Sequence, residues 1–431
     1  MKAQHYQKFI FEHYRFDDVT NTATFVYSFD NGRYFTETIV FDIHGTYDKS
    51  VLDKALRLAF LTAGVSYYKC FPTNNVAMAT GEFSVAEAAL LNVVYRDGLS
   101  QFMFENGLEL ADMPTFLPGD EQREHAVPYG GNGVLTLQSG GKDSLLLARF
   151  LKRGGVEFAA MHSSSNGAYP AVIDRIGAQR VRIMERHIDT AALRLATQDG
   201  GLNGHVPVTY ITLIYALVDA ILHNENTILT AIGHEGDEAH AWIGSMAMNH
   251  QWSKTWQAEQ LLADHVKNEI SPAIKIGSPL RGYYELRIAE LFAAMAWGEY
   301  GHAFSSCNLA NYKQGHVNAA LAWCGECPKC ANSFLLFAPF VPPTELASIF
   351  NGQNLFNKPQ STAMFKGLLG VDGAMKPLEC VGEVAELRQA YHMARQNYPG
   401  AYELPFTVPA GDFDYKAVGE CQSWASKYAT A

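Results

Sequence analysis

Two periods of hydrophobic and polar positions divide the chain. Over "ATFVYSFDNGRYFTETIVFDI" apolar and polar residues alternate about Asp30-Asn31-Gly32, which predicts two strands joined by a hairpin turn. "SVLDKALRLAFLTAGVSYYKC" follows with apolar residues at Val51, Leu52, Ala55, Leu56, Ala59 and Phe60, the spacing of one helical face. That register puts Ser66 and Lys69 just beyond the helix, in a loop. From Gly133 short apolar runs alternate with helical stretches. "GVLTLQ", "VEFAAMH", "QRVRIM" and "NTILTAIG" read as strands, and this alternation implies an α/β fold with a parallel sheet wrapped by helices. Ligands of such sheets sit beyond the carboxyl ends of the strands, so the loops after Leu137, Met161 and Ile232 are expected to share one crevice. From about Pro342 the chain is rich in Pro, Gly and Asn, which suggests a partly irregular wrap. The expected division is an N-terminal α+β domain at 1–130, the α/β domain at 131–341 and a C-terminal extension at 342–431.

Composition narrows the setting. A chain of 431 residues, 48% hydrophobic and 18% charged, suits two or three domains with a sizeable core. Its longest apolar run, "VTYITLIYALVDAIL" from Val208, is broken by Thr209, Thr212 and Asp219 and reads as a core helix rather than a membrane span. The start, "MKAQHYQKFIFEHYRF", lacks the uninterrupted apolar core of a signal peptide. The expectation is a cytoplasmic protein with reduced thiols and no membrane partner. Net charge is −11, from 33 basic and 44 acidic residues. That disfavours nucleic-acid partners, which need a basic footprint. A small anion needs only a local cluster of donors.

Such a cluster is visible in "VLTLQSGGKDSLLLARFL", Val134 to Leu151, where a strand runs into Ser139-Gly140-Gly141-Lys142-Asp143-Ser144 and then a helix. Glycines let the backbone approach an oxyanion, and the helix N-terminus favours one. The alternative is an ordinary glycine-rich turn. A Walker loop would need Ser or Thr after the lysine, whereas Asp143 follows Lys142, and a Gly-x-Gly-x-x-Gly fingerprint is absent. The hexapeptide resembles instead the PP-loop of ATP pyrophosphatases. The resemblance implies that Ser139, Gly140, Gly141, Lys142, Asp143 and Ser144 hold the β,γ-pyrophosphate of ATP, and that AMP is left on a substrate oxygen. Mg²⁺ would bridge the phosphate oxygens near Asp143. Met161 and His162, with Ser163, would meet adenine, mostly through the backbone.

Four of the seven cysteines group: Cys307 in "SSCN" and Cys324, Cys327 and Cys330 in "CGECPKC". Four soft ligands complete a tetrahedron, so structural Zn²⁺ is the first reading, an iron–sulfur cluster the second and unligated thiols the third. The arrangement is similar to the zinc site of PP-loop enzymes that make 7-cyano-7-deazaguanine. Cys70, Cys380 and Cys421 stand alone and read as packing residues.

Further stretches sharpen the picture: "LRLAFLTAGVSYYK", "NGHVPVTYITLIYAL", "MNHQWSKTWQAEQLL", "SPLRGYYELRIAELF", "LLFAPF" and "KPLECVGEVAEL". With the motifs above, and in order over nearly the whole chain, they resemble the ATP-dependent epimerases of UDP-N-acetylmuramoyl-L-alanyl-L-glutamate. The resemblance implies inversion of the terminal L-glutamate of a peptidoglycan precursor to D-glutamate. One segment departs: where the family has an Asn-Glu-Arg-Ser type of sequence, this chain has "HEGDEAHAW", His234 to Trp242. That is nearer to the Gly-His-x-x-Asp-Asp of some tRNA-modifying relatives. ATP has a chemical reason here. An α-proton beside a free carboxylate is very weakly acidic, and an acyl-adenylate removes that negative charge, so a moderate base can take the proton.

Candidate catalytic residues are Lys142 and Asp143 for activation and His205, His250 and Lys69 for proton transfer, with Tyr68 beside them and Glu285 and Glu379 as weaker choices. Lys254, Arg281 and Arg287 are candidate cations for substrate phosphate or carboxylate, or else solvated surface charges. Two rival functions remain. One is a different PP-loop acceptor, as in a deazaguanine-type nitrile synthase or a tRNA-modifying enzyme; the other is a nucleotide-binding regulator without turnover.

Overall fold

The N-terminal alternation folds into three strands. β1 (Phe9–Asp17), β2 (Thr22–Phe29) and β3 (Arg33–Phe41) pair antiparallel in that order, with Phe9 opposite Phe29 and Phe29 opposite Arg33. Gly32 closes the β2–β3 turn at φ +75°, and its N–H donates to Phe29 O at 3.0 Å. The computed structural model describes residues 6–30, 32–43, 45–120, 125–234, 238–312, 319–416 and 423–429. Asn31 of the turn, and Cys421, lie outside them.

The further strands are β4 (Val76–Met78), β5 (Val134–Leu137), β6 (Ala159–Ser164), β7 (Arg180–His187), β8 (Thr227–Leu229), β9 (Ala241–Ile243), β10 (Met246–Met248) and β11 (Lys275–Gly277). Each of the four apolar runs read as a strand overlaps one, β5 to β8. The chain forms a mixed α/β structure of two compact units. One holds 1–135, 182–228 and 241–276, and the other 136–181, 229–240 and 277–431.

In the first unit the strand order is β7-β3-β2-β1-β4, with β7 antiparallel to β3 and β4 parallel to β1. Inward positions carry Phe9, Phe11, Phe25, Tyr27 and Phe35, each at most 1% exposed. Each such ring contributes about 2–3 kcal/mol by leaving water. The helix Lys49–Ala63, capped by the Asp48 carboxylate, packs against the helix Val208–Leu222. Gly64 lies at its end because a Cβ there would be 2.6 Å from the Tyr95 hydroxyl. The chain then turns into a second short helix, Val65–Tyr68, so Ser66 is helical and buried, not in a loop as its register suggests. A buried charge explains why. Glu37, 0% exposed, accepts from Arg186 Nε at 2.7 Å and from the Tyr215 hydroxyl, while Arg186 Nη2 donates to Ser66 Oγ at 2.9 Å. An unpaired carboxylate there would cost several kcal/mol, so Ser66 is drawn in to complete the set.

In the second unit the helix Lys142–Arg153 buries Leu145, Leu146, Leu147, Phe150 and Leu151 and packs on the helix Glu285–Met295. The C-terminal stretch is more regular than its Pro and Gly content suggests. Helices span Pro343–Ile349, Thr362–Leu368 and Val384–Asn397, the last opened by a capping box between Glu383 and Glu386. Its glycines mark the turns instead, with Gly370, Gly373 and Gly400 all at positive φ. No helix of the described residues is long and apolar enough to cross a membrane.

Candidate functional site

The glycine turn carries no side-chain cap on the helix that follows it. Gly140 takes φ +79°, and a Cβ there would stand 2.6 Å from Leu321 Cδ1 and 3.1 Å from Val172 Cγ1. Only glycine satisfies both the backbone and the space. Gly141 caps the helix Lys142–Arg153 from extended backbone, with no side chain to occupy the first amides. Ser144 Oγ donates to Gly141 O at 3.2 Å, and Gln138 Nε2 donates to Ser144 O at 3.0 Å. These bonds brace the turn ahead of a helix N-terminus, the end of a helix where an anion is favoured.

Lys142 folds back rather than reaching into solvent. It is 7% exposed, with Nζ 2.7 Å from Asp143 Oδ1 and paired with Glu285. Glu285, whose place at a helix start suggests a solvated charge, is instead 3% exposed. Met161 and His162 lie inside β6 rather than after it, and Met161 O accepts from Gln138 N at 2.9 Å. His162 Nδ1 donates to Gln138 O at 2.8 Å, so the first two strand ends do meet. Burial pushes the His162 pKa down, which keeps the ring neutral. Among the described residues, His162 Nε2, Gln138 Oε1 and Thr230 Oγ1 are buried without a hydrogen-bond partner.

Other candidate cations of this unit are structurally engaged. Arg281 is 1% exposed and donates from Nη1 to Gly233 O at 3.0 Å, and Arg287 pairs with Glu290 one helical turn on. In the departing segment, His234 N donates to Tyr283 O at 2.8 Å and its ring meets Tyr284 edge-on. Residues 235–237 lie outside the described set. Glu379 accepts from Asn308 Nδ2 at 3.4 Å.

A second cluster gathers in the first unit from distant parts of the chain. The His205 and His250 rings are in contact, their centroids 4.6 Å apart and their planes at 44°. Lys69, just past the helix Val65–Tyr68, donates from Nζ to Asn203 Oδ1 at 2.6 Å and Gly204 O at 3.0 Å. Burial lowers the His205 pKa to about 4, helped by His250 and Lys69 and opposed by Glu105. Burial lowers that of Lys69 too. Two residues here carry no sequence flag. His250 Nδ1 meets Gln101 Oε1 at 2.6 Å, and Gln101 Nε2 donates to Glu105 Oε1 at 2.8 Å. Their i,i+4 spacing in "SQFMFEN" is the only trace they leave in the sequence. Tyr68 is placed differently: it is fully buried among aromatic rings, its hydroxyl donating to Thr73 O at 3.0 Å, and burial raises its pKa far above the ordinary phenol value. Lys254 ends the turn Trp252–Lys254 and is half-buried.

The four grouped cysteines converge. Sγ atoms of Cys307 and Cys327, and of Cys324 and Cys330, are 3.6 Å apart, those of Cys327 and Cys330 are 3.5 Å apart, and all four lie within 4.8 Å of one another. Backbone amides of Ala310, Gly325 and Glu326 point at sulfur at 3.3–3.4 Å. Four thiols so arranged could hold a metal ion. Cys70 is buried, and its thiol is pushed up to about 11 by that burial.

By its elements and this thiol cluster the chain is a mixed α/β protein with a candidate metal centre. The family model of the MurL N-terminal domain matches residues 1–278, and that of the MurL C-terminal domain matches residues 303–402. The chain belongs to the MurL family. It is 33% identical over 381 residues to the UDP-N-acetyl-alpha-D-muramoyl-L-alanyl-L-glutamate epimerase of Xanthomonas oryzae pv. oryzae, covering 87% of this chain and 82% of that one. Relatives of the same name from Salinispora tropica and a Micromonospora species are each 32% identical over 387 residues, covering 88% of this chain and 82% and 84% of theirs.

Proposed function

We propose that this chain is an ATP- and Mg²⁺-dependent epimerase that inverts the terminal L-glutamate of UDP-N-acetylmuramoyl-L-alanyl-L-glutamate. The observation that carries this is the match to relatives of that name along nearly nine-tenths of the chain. ATP supplies activation of the α-carboxylate as an acyl-adenylate, with release of pyrophosphate. The residues fit it: Gly140 holds the turn at φ +79° where a Cβ would strike Leu321, the amides at Lys142 and Asp143 begin a helix, and buried acceptors at Gln138 and His162 await a donor. Asp143 is the carboxylate nearest these amides in sequence and suits Mg²⁺. Lys254 remains a candidate for the substrate's anionic groups.

His250 and His205 supply the proton chemistry. A neutral imidazole is the right base for an activated α-proton, and His205 stays neutral down to about pH 4. Two rings in contact leave no room for a carbon between them, so this pair serves one face of the substrate. The cysteine centre suits Zn²⁺ better than an iron–sulfur core. Sulfurs on a tetrahedron of 2.3 Å bonds lie about 3.8 Å apart, close to the spacing here, which leaves no space for inorganic sulfide. The expected metal is therefore structural.

The test is incubation with the UDP-dipeptide, ATP and Mg²⁺ in D₂O. The expected products are AMP, pyrophosphate and a UDP-dipeptide that yields on hydrolysis D-glutamate with deuterium at its α-carbon. AMP without deuterium would leave adenylation and remove epimerisation.

A further inference from the structure

We propose that Gln101 is a positioning residue that holds His250 as its Nδ1–H tautomer and so makes Nε2 the proton-transferring atom. The Nε2 role rests on the epimerase reading; the tautomer does not. Gln101 is 6% exposed on the helix Ser100–Asn106, one turn before the exposed Glu105. Its amide cannot face either way. A carboxylate only accepts hydrogen bonds, so the amide nitrogen must point at Glu105, where it donates to Oε1 at 2.8 Å. Gln101 Oε1 is then turned to His250 Nδ1, 2.6 Å away. An acceptor at that distance requires a proton on Nδ1, and the basic nitrogen of the neutral ring is Nε2.

The choice of an amide has a physical consequence. A carboxylate at Nδ1 would stabilise the imidazolium and hold the ring charged, whereas glutamine orients the ring without adding charge. Glu105 acts one residue removed: it orients the amide that orients the imidazole. In the reaction the α-C–H bond breaks, its electron pair moves toward the activated carbonyl, and the proton forms the new bond to Nε2. Asn249 N, donating to Ser100 Oγ at 3.3 Å, ties the segment before His250 to the start of the same helix.

The test uses the full chain labelled with ¹⁵N-histidine, with His250 assigned by loss of its signals in His250→Gln. Long-range ¹H–¹⁵N spectra above pH 7 should show a protonated Nδ1 and an unprotonated Nε2. Gln101→Leu should mix the tautomers and lower kcat for deuterium incorporation about tenfold, a part of the 10²–10⁴ that a placed acid–base group contributes, with KM little changed. Glu105→Gln, at an exposed position where folding is not at stake, lets the Gln101 amide turn; it should blur the tautomer and lower kcat about threefold, a part of that same contribution. A protonated Nε2 in the wild type, or an unchanged tautomer in both variants, overturns the proposal. The expected tautomer with pyrophosphate release but no deuterium at the α-carbon overturns the role of Nε2 and the epimerase reading, while the hold of Gln101 on the ring stands.

Discussion

The glycine turn at Ser139–Ser144 and the histidine cluster of His205 and His250 solve opposite problems. The turn is contiguous: six residues in a row set the backbone, the cap and the helix start, and the local chain dictates the result. The cluster is assembled from residues 69, 101–105, 203–205 and 250, none of which specifies its neighbours. On the proposed reading the turn acts through main-chain amides, which flanking side chains do not supply. The cluster, on that reading, acts through side-chain atoms of His205, His250 and Gln101.

That contrast can be broken most sharply at Gly140. Gly140→Val adds a branched Cβ at φ +79° and 2.6 Å from Leu321, so the turn must move. Pyrophosphate release and deuterium exchange should fall together, by about 10²–10³ as when fixed oxyanion donors are lost. Release persisting near the wild-type rate would show that nucleotide is held elsewhere. His250→Gln should separate the two readouts instead. Deuterium incorporation is expected to drop about 10²-fold, while AMP formation stays within a fewfold. Equal loss of both would assign His250 to activation or to binding, not to proton transfer.

The smallest effect is in stability against pH. The His205 pKa is lowered from 6.5 to about 4 mainly by burial. The unfolded chain therefore binds a proton that the folded chain does not, and stability falls as pH drops from about 6.5 to about 4, then levels. His265, also lowered to about 4 by burial, acts in the same sense, and Asp219, raised to about 6 by burial, acts in the opposite one. Comparing wild type with His205→Gln cancels the other groups. The variant's thermal midpoint should gain on that of wild type across this window, and a gap independent of pH would remove His205 from the account.

Particular residues show how far the sequence reached. Strands β5 to β8, the hairpin at Gly32 and the helix Lys49–Ala63 follow from periods of two and of 3.6, because side-chain direction is a local property of the backbone. The convergence of four cysteines was legible because their spacing alone brings three of them to one turn. Ser66 departs from its sequence register because its position depends on a buried charge, Glu37, and on Arg186, 120 residues away from it along the chain. Glu285 is hidden from sequence reasoning in the same way, since its partner, Lys142, stands on another helix. The C-terminal stretch is more helical than an irregular wrap because its glycines mark turns between helices.

What the sequence determined by itself is the part fixed within a few residues: the elements, the glycine turn with its open helix start, and the set of soft ligands. What only the tertiary structure decided is which polar side chains leave water and which partners compensate them. Burial and pairing act through space, so Lys142 with Glu285, Arg186 with Glu37 and Gln101 with His250 have no signature along the chain, although each sets what its neighbour can do.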